Sequence, residues 1–140
     1  MDLTEALPFV KARKEGVLAT IRANGRPQLS NILYVASDDD VLRISITDTR
    51  AKTANVRRDP RVSLYVLGDT FWQYAVLEGT VELSPVAADP HDATVDQLVA
   101  YYQAGNGEHP DWDEFRATMV ADRRLILALH PERAYGMVMN

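Results

Sequence analysis

Fourteen residues, Asp48 to Arg61 (DTRAKTANVRRDPR), hold five cationic side chains and two acids, a net +3 in a chain whose total is −5. Everything outside this island therefore carries −8. Positive charge concentrated in this way is suited to gripping an anion. The spacing predicts a helix of about two turns, capped by Asp48 or Thr49 and stopped at Asp59-Pro60, because the residue before proline avoids helical backbone. Arg50 and Lys52 then fall in the first turn. Cations there oppose the helix dipole by about 0.3–1 kcal/mol each, so the helix gains nothing from them. A phosphate gains from both, and from the free backbone N–H groups beside them. Arg57 and Arg58 lie at the C-terminal end, where positive charge suits the dipole, and Arg61 opens the next strand as an edge charge.

No other constellation carries chemistry as well. His91, His109 and His130 are far apart and show neither i, i+4 pairing nor a metalloprotease pattern, so no metal site is expected. The stretch GNGEH (Gly105–His109) lacks the third glycine and the preceding strand of a dinucleotide fingerprint. Ser30, Ser45 and Ser63 have no histidine neighbour and no nucleophile elbow. With no cysteine in the chain, thiolate chemistry, disulfides and cluster ligation are excluded together. No catalytic acid, base or nucleophile is identifiable. If the protein is an enzyme, a cofactor brings the reactivity and the chain supplies placement and electrostatics.

Length and composition set the frame. At 140 residues the chain reads as one domain, 1–140, long enough for a single core. A pI near 5.1 argues against nucleic acid as a partner. The N-terminus is charged at Asp2, Glu5, Lys11 and Arg13, unlike a signal peptide, and no segment has the ~20 apolar residues of a membrane span. A cytoplasmic location is the expectation.

The elements that must position the island read as follows. Residues 3–14 form a helix. Strands are expected at 17–22, 27–36, 41–47, 61–68 and 71–85, with a tight hairpin at Asn24-Gly25 and a bend at Gly79. Two helices follow, with apolar stripes Val95, Leu98, Val99, Tyr102 and Trp112, Phe115, Met119. Strands at 123–131 and 134–139 close the chain. Strands at hairpin spacing with few helices point to a small antiparallel barrel rather than a doubly wound sheet.

Alternation separates the strand faces. Leu42, Ile44 and Ile46, like Val62, Leu64 and Val66, are core positions. In the second strand Leu29, Leu33 and Val35 share a face with Asn31. If the strands are neighbours, Gln28, Ser30, Ser45, Thr47 and Ser63 form one polar patch outside the barrel, ending at the basic island. Such a patch either faces water or floors a flat hydrogen-bonding ligand whose anionic end reaches Arg50 and Lys52. Trp72, Tyr74 and Tyr65 lie near a barrel rim, as packing or as the border of a ring or dimer contact.

The order GVLATIRANGRPQLSNILYV, LRISITDTRAKTANVRRDPRVSLYV, WQYAVLEGTVEL resembles the split β-barrel flavin and deazaflavin oxidoreductases, the pyridoxamine 5′-phosphate oxidase-like group. RAKTANVRRDPRV is its most specific part, and within the group the chain looks closest to the actinobacterial (group B) reductases that use coenzyme F420. The resemblance implies a mainly β split barrel with α additions that forms a homodimer, with two cofactor sites at the subunit interface. It implies that the strand matching Gln28, Ser30 and Asn31 lies along the ring system. Ser45, Ile46, Thr47, Arg50, Ala51, Lys52 and Asn55 would hold the phosphate and ribityl side, and Trp72 and Tyr74 would approach from the partner subunit. Arg57 and Arg58 would suit the anionic tail of F420. The implied activity is hydride transfer from reduced F420 to an unsaturated small organic substrate. The alternatives are FMN in the same fold, a non-catalytic F420 binder or carrier, or a haem-binding relative. The chain ends HPERAYGMVMN, without the Arg-Leu…Glu-Phe-Trp…Arg-Leu-His pattern of pyridoxamine phosphate oxidases, which argues against vitamin oxidation.

Overall fold

The computed structural model describes residues 1–139. Among them are strands β1 (Glu15–Ile21), β2 (Pro27–Leu33), β3 (Val35–Ala36), β4 (Leu42–Thr47), β5 (Arg61–Leu67), β6 (Tyr74–Leu83) and β7 (Arg124–Met137). The helices are α1 (Leu3–Lys11), α2 (Ala51–Arg58), α3 (Ala93–Asn106) and α4 (Trp112–Ala121). All strands belong to one antiparallel sheet, in the order β2-β1-β5-β6-β7-β4-β3. The sheet curls until β2 approaches β4, but these two do not pair. This is a barrel with a split in its wall.

Local chemistry accounts for the elements. Gly25, at φ +85°, closes the β1–β2 hairpin, and Arg22 N donates to Arg26 O across it at 2.9 Å. Asp2, Asp92 and Asp111 cap α1, α3 and α4 by accepting from the amides of Glu5, Val95 and Glu114. The expected bend at Gly79 coincides with a bulge between β6 and β7. A Cβ at Gly79 would lie 2.1 Å from the His130 carbonyl oxygen, so only glycine fits there. The two closing strands expected from the sequence are one long β7 bent at this bulge. The expected strand over 71–85 begins at Tyr74, leaving Phe71 and Trp72 in the preceding turn.

Leu18, Leu42, Ile44, Ile46, Leu64, Leu77 and Leu127 fill the curl and are at most 1% exposed. Each contributes about 1.5–3 kcal/mol by leaving water. Ala6 and Val10 of α1 and Val56 of α2 seal this core. A second cluster lies outside the curl, where Val95, Leu98 and Phe115 of α3 and α4 pack on Ile126 of β7.

Two expectations about faces need correction. Along the return segment the buried residues are Ile32 of β2 and Tyr34 just after it, while Leu29 and Leu33 are 64% and 56% exposed. The supposed polar patch is also divided. Gln28 and Ser30 pair with Thr20 and Leu18 and so face inward, beside α2. Ser63 lies with Ala19 and Leu29 on the opposite face. Ser45 pairs with Ile126 beneath α3. The strands are not the neighbours that a single patch requires, because β5 and β4 are separated by β6 and β7.

The expected return strand 27–36 breaks at Tyr34. The Tyr34 amide still donates to Lys14 O, extending the β1 ladder, but Val35 pairs with Arg43 of β4. Its side chain is 2% exposed, and its hydroxyl donates to Val10 O at 2.6 Å. Burial pushes that hydroxyl's pKa up, so it stays a donor. Tyr34→Phe would leave the Val10 carbonyl without this donor. The expected cost is about 1–2 kcal/mol, read as a lower urea midpoint at unchanged slope; an unchanged midpoint would refute the pinning role.

Candidate functional site

The site grows from the split. A cavity of about 410 Å3 opens between β2 and β4. Asn31, Ile32 and Leu33 line it from β2, Ile44 and Ser45 from β4, and Lys52 from α2. Arg124 enters from β7, and Leu98, Tyr101, Tyr102, Phe115 and Met119 of α3 and α4 form the remaining wall. One end is cationic, the other apolar and aromatic, and no lining residue is an acid.

The ion pairs explain which cations of the basic island remain available. Asp48 accepts from Arg57 at 2.6 Å and from Arg123 at 2.8 Å. Both guanidiniums hold its carboxyl below the usual range, Arg123 most strongly. Arg61 pairs with Asp59 at 2.7 Å and holds that carboxyl down at about 2. Arg58 donates to the Ile21 carbonyl and to Asn55 Oδ1. Among the described residues, Arg50, Lys52 and Arg124 have no acidic partner.

These three cations converge. Lys52 is half-buried, and its pKa is pulled down by burial first, then by Arg50 and Arg124. Arg124 donates to Ser45 Oγ at 3.3 Å, while its buried Nε has no hydrogen-bond partner. A buried donor without an acceptor is costly, and a depressed lysine beside two arginines is electrostatic strain. An anion in the cavity would relieve both. The helix start agrees. The residue at the N-cap of α2 is Arg50, not the expected Asp48 or Thr49, and no side chain caps it. Asp48 is instead committed to Arg57 and Arg123, and while the Thr53 amide bonds Arg50 O at 3.1 Å, those of Ala51 and Lys52 are left for a ligand.

Of the residues singled out in the sequence, Asn31, Ser45 and Lys52 meet in the cavity, while Arg50 and Ala51 are exposed and do not line it, Arg50 lying near enough to act on the Lys52 charge. Thr47 is at the β4 terminus, its carbonyl accepting from Thr53 Oγ1 at 2.6 Å. Ile46 points into the core, 1% exposed. Asn55 is buried and donates to Thr20 Oγ1 at 3.1 Å, joining α2 to β1. Gln28 accepts from Arg22 at 3.2 Å, and Ser30 sits half-buried opposite Leu18. Trp72 is 76% exposed in the β5–β6 turn, and Tyr74 stacks on Tyr65 at 5.6 Å outside the curl.

Sequence reasoning missed Arg124 and Tyr101. The available signal for Arg124 was the Arg-Arg step before LILALH, but its meaning depends on the ladder that sets Arg124 opposite Thr47. Tyr101 neighbours the apolar stripe without belonging to it.

The family profile described as pyridoxamine 5′-phosphate oxidase matches residues 3–137. The chain belongs to the pyridoxamine 5′-phosphate oxidase-like split-barrel family. Among solved members of similar shape is an F420 reductase, 27% identical, with 91% of this chain and 94% of that one covered and a TM-score of 0.64. Another is a conserved hypothetical protein, Rv2991, from Mycobacterium tuberculosis, 25% identical over 96% of this chain and 82% of that one, at a TM-score of 0.71. The haem storage protein HutZ from Vibrio cholerae shares the fold at 17% identity, covering 96% and 93% of the two chains, at a TM-score of 0.68. The split barrel thus carries different cargoes, and the cavity must decide which suits this chain.

A ligand-free test of the electrostatics is Lys52→Met. A lysine with a depressed folded pKa destabilises the fold fully below that pKa, and the penalty vanishes as pH rises toward the ordinary 10.5. The variant should therefore melt a few degrees above the parent at neutral pH, with the gap narrowing in alkali, and should lose salt-sensitive anion binding. A variant that melts lower at neutral pH contradicts this account.

Proposed function

We propose that the protein is an oxidoreductase that holds coenzyme F420 at the β2–β4 split and reduces an unsaturated bond in a small organic substrate. The observation that carries this reading is the meeting of Lys52 and Arg124, without acids and with Arg50 beside Lys52, at a cavity where the buried Arg124 Nε has no acceptor. The residues fit a ligand with an anionic chain and a flat body. Arg50, Lys52 and the first-turn amides of α2 would neutralise the phosphate. Arg124, steadied by Ser45, would reach the same charge from the other side. Asn31 and the free edges of β2 and β4 would face the ring. When bound, the reduced deazaflavin supplies the hydride. The chain's own residues orient the ring and exclude water from the aromatic end of the cavity.

The working unit in this reading is a homodimer. Outside the curl, Leu29, Leu33, Tyr65, Leu67, Tyr135 and Met137 are all at least 37% exposed. The register places Val17, Tyr65, Val76 and Tyr135 in one row across four strands. An exposed apolar face on a small acidic protein supports a protein contact there. A second copy would cover it and bring its exposed Phe71–Trp72 turn and Tyr74 toward the cofactor. The likeness to an F420 reductase at 27% identity supports the cofactor choice.

Calorimetry with F420 and FMN at two salt concentrations tests the cofactor. F420 should bind more tightly, with affinity falling as salt rises, and the reduced form should be oxidised by members of a panel of enones and quinones. A protein that purifies yellow and prefers FMN would replace F420 by flavin. A Soret band would replace it by haem, and binding without turnover would make the protein a carrier. The dimer has a separate test. In sedimentation the parent should run as a dimer, whereas Leu29→Glu with Tyr65→Glu should run as a monomer with cofactor affinity reduced at least tenfold. A parent that sediments as a monomer refutes the interface.

A further inference from the structure

The register of β3 on β4 pairs Val35 with Arg43 and Ala36 with Leu42. Continued one pair beyond Tyr34 and Ile44, the same register sets Leu33 opposite Ser45. Ladder parity shows which way their backbone groups point. Tyr34 N bonds Lys14 O, so the neighbouring Leu33 turns its carbonyl away from β1, toward the split. Asp48 N bonds Arg123 O, so Ser45, an odd number of residues away, turns its amide away from β7, toward the same split. On the far side of the bend Ser37 N donates to Val41 O, which makes Leu33 and Ser45 a hydrogen-bonding pair by the same alternation. A direct bond from Ser45 N–H to Leu33 C=O is the continuation the ladder calls for.

The Tyr101 hydroxyl of α3 occupies that place. It donates to Leu33 O at 2.9 Å, and the Ser45 backbone amide lies near the hydroxyl itself. Burial raises its pKa, with the Ser45 amide and Arg124 pulling the other way, so the hydroxyl remains protonated and able to donate. The side chain comes from outside the sheet and sets its hydroxyl on the Leu33 carbonyl, the acceptor of one of the two bonds that such a pair exchanges.

We propose that Tyr101 is a wedge, a positioning residue whose hydroxyl replaces the Leu33–Ser45 ladder bond and so holds the split open at the width a flat ligand needs. The ligand is the planar cofactor proposed above, and the inference rests on that reading for its functional consequence. Its structural half stands alone. Without the wedge, β2 and β4 have complementary groups in register and nothing between them, so the ladder zips one step further and narrows the mouth beside Asn31 and Lys52.

Tyr101→Phe tests this, since it keeps the ring packing and removes only the hydroxyl. In the ligand-free variant a crystal structure should show Ser45 N within direct hydrogen-bond distance of Leu33 O, and the Ser45 amide should exchange at least tenfold more slowly. The melting temperature should stay within a few degrees of the parent, while affinity for F420 and for FMN, each titrated separately, falls at least tenfold. A merely structural tyrosine would lower the melting temperature and leave affinity in the folded protein unchanged, and that result overturns the proposal. An unchanged split overturns it as well, as does a closed split with undiminished binding. If the parent binds neither F420 nor FMN, the cofactor reading fails, and closure of the ligand-free split alone decides the wedge.

Discussion

The structure depends on one change of partner. At Tyr34 the chain leaves β1 and joins β4, so the two edges that a closed barrel would pair are instead ends of one bent strand. Closing a small sheet normally removes its edges and leaves no backbone group unmet. Here closure stops one step past the bend, and the open length of β2 and β4 becomes the wall of a cavity. The bend is held by a buried side chain, a main-chain bond to Lys14 and a hydroxyl bond to Val10. These ties reach back to α1 and to Lys14 just before β1, and no residue of α1 lines the cavity. The N-terminal helix thus contributes to the site without touching it.

Charge follows the same logic. The basic island contains two acids, and each restrains the cations that would otherwise crowd the site. Asp48 takes Arg57 and also Arg123 from the adjoining end of β7, which ties the start of α2 to the start of β7. This fixes Arg124, the next residue, opposite Thr47. Each exposed pair contributes little stability by itself. Their effect is selective rather than stabilising. Among the described residues they leave Arg50, Lys52 and Arg124 close together without an acidic partner, beside the opening in the wall.

Much of this was legible in the residues because it is local. The Asn24-Gly25 turn, the core alternation of β4 and β5, the stripes of α3 and α4 and the glycine at the bulge are all set by neighbours within a few positions. Of the residues that line the cavity, Ser45 and Lys52 stood out for a similar reason, as a polar residue on a strand and a cation in a first turn, while Asn31 was singled out through the family resemblance. The face of β2 was misread because hydrophobicity there serves two masters. Leu29 and Leu33 look like core, but the curl is already filled by Ile32 and Tyr34, and the leucines belong to the exposed outer face. The cap of α2 was misread because Asp48 has long-range partners that outcompete a local one. Arg124 and Tyr101 carried no local conflict at all, and their roles appear only once distant strands are in register.

The exposed outer face and the open split are linked by that same misread strand. Along β2, Ile32 helps to fill the barrel, Leu33 lends its carbonyl to the split, and Leu29 and the Leu33 side chain complete the apolar surface outside. A change that shifts β2 by one residue would exchange all of these at once, because a strand's faces alternate. The shift is opposed from both sides, by the full β1 ladder from Glu15 to Ile21 and by the Tyr34 anchor at its end. Core, cavity and outer surface are therefore not three independent features that could drift separately. They are three readings of a single register, and the register is held by its most buried residue, Tyr34, at the point where the strand changes partner.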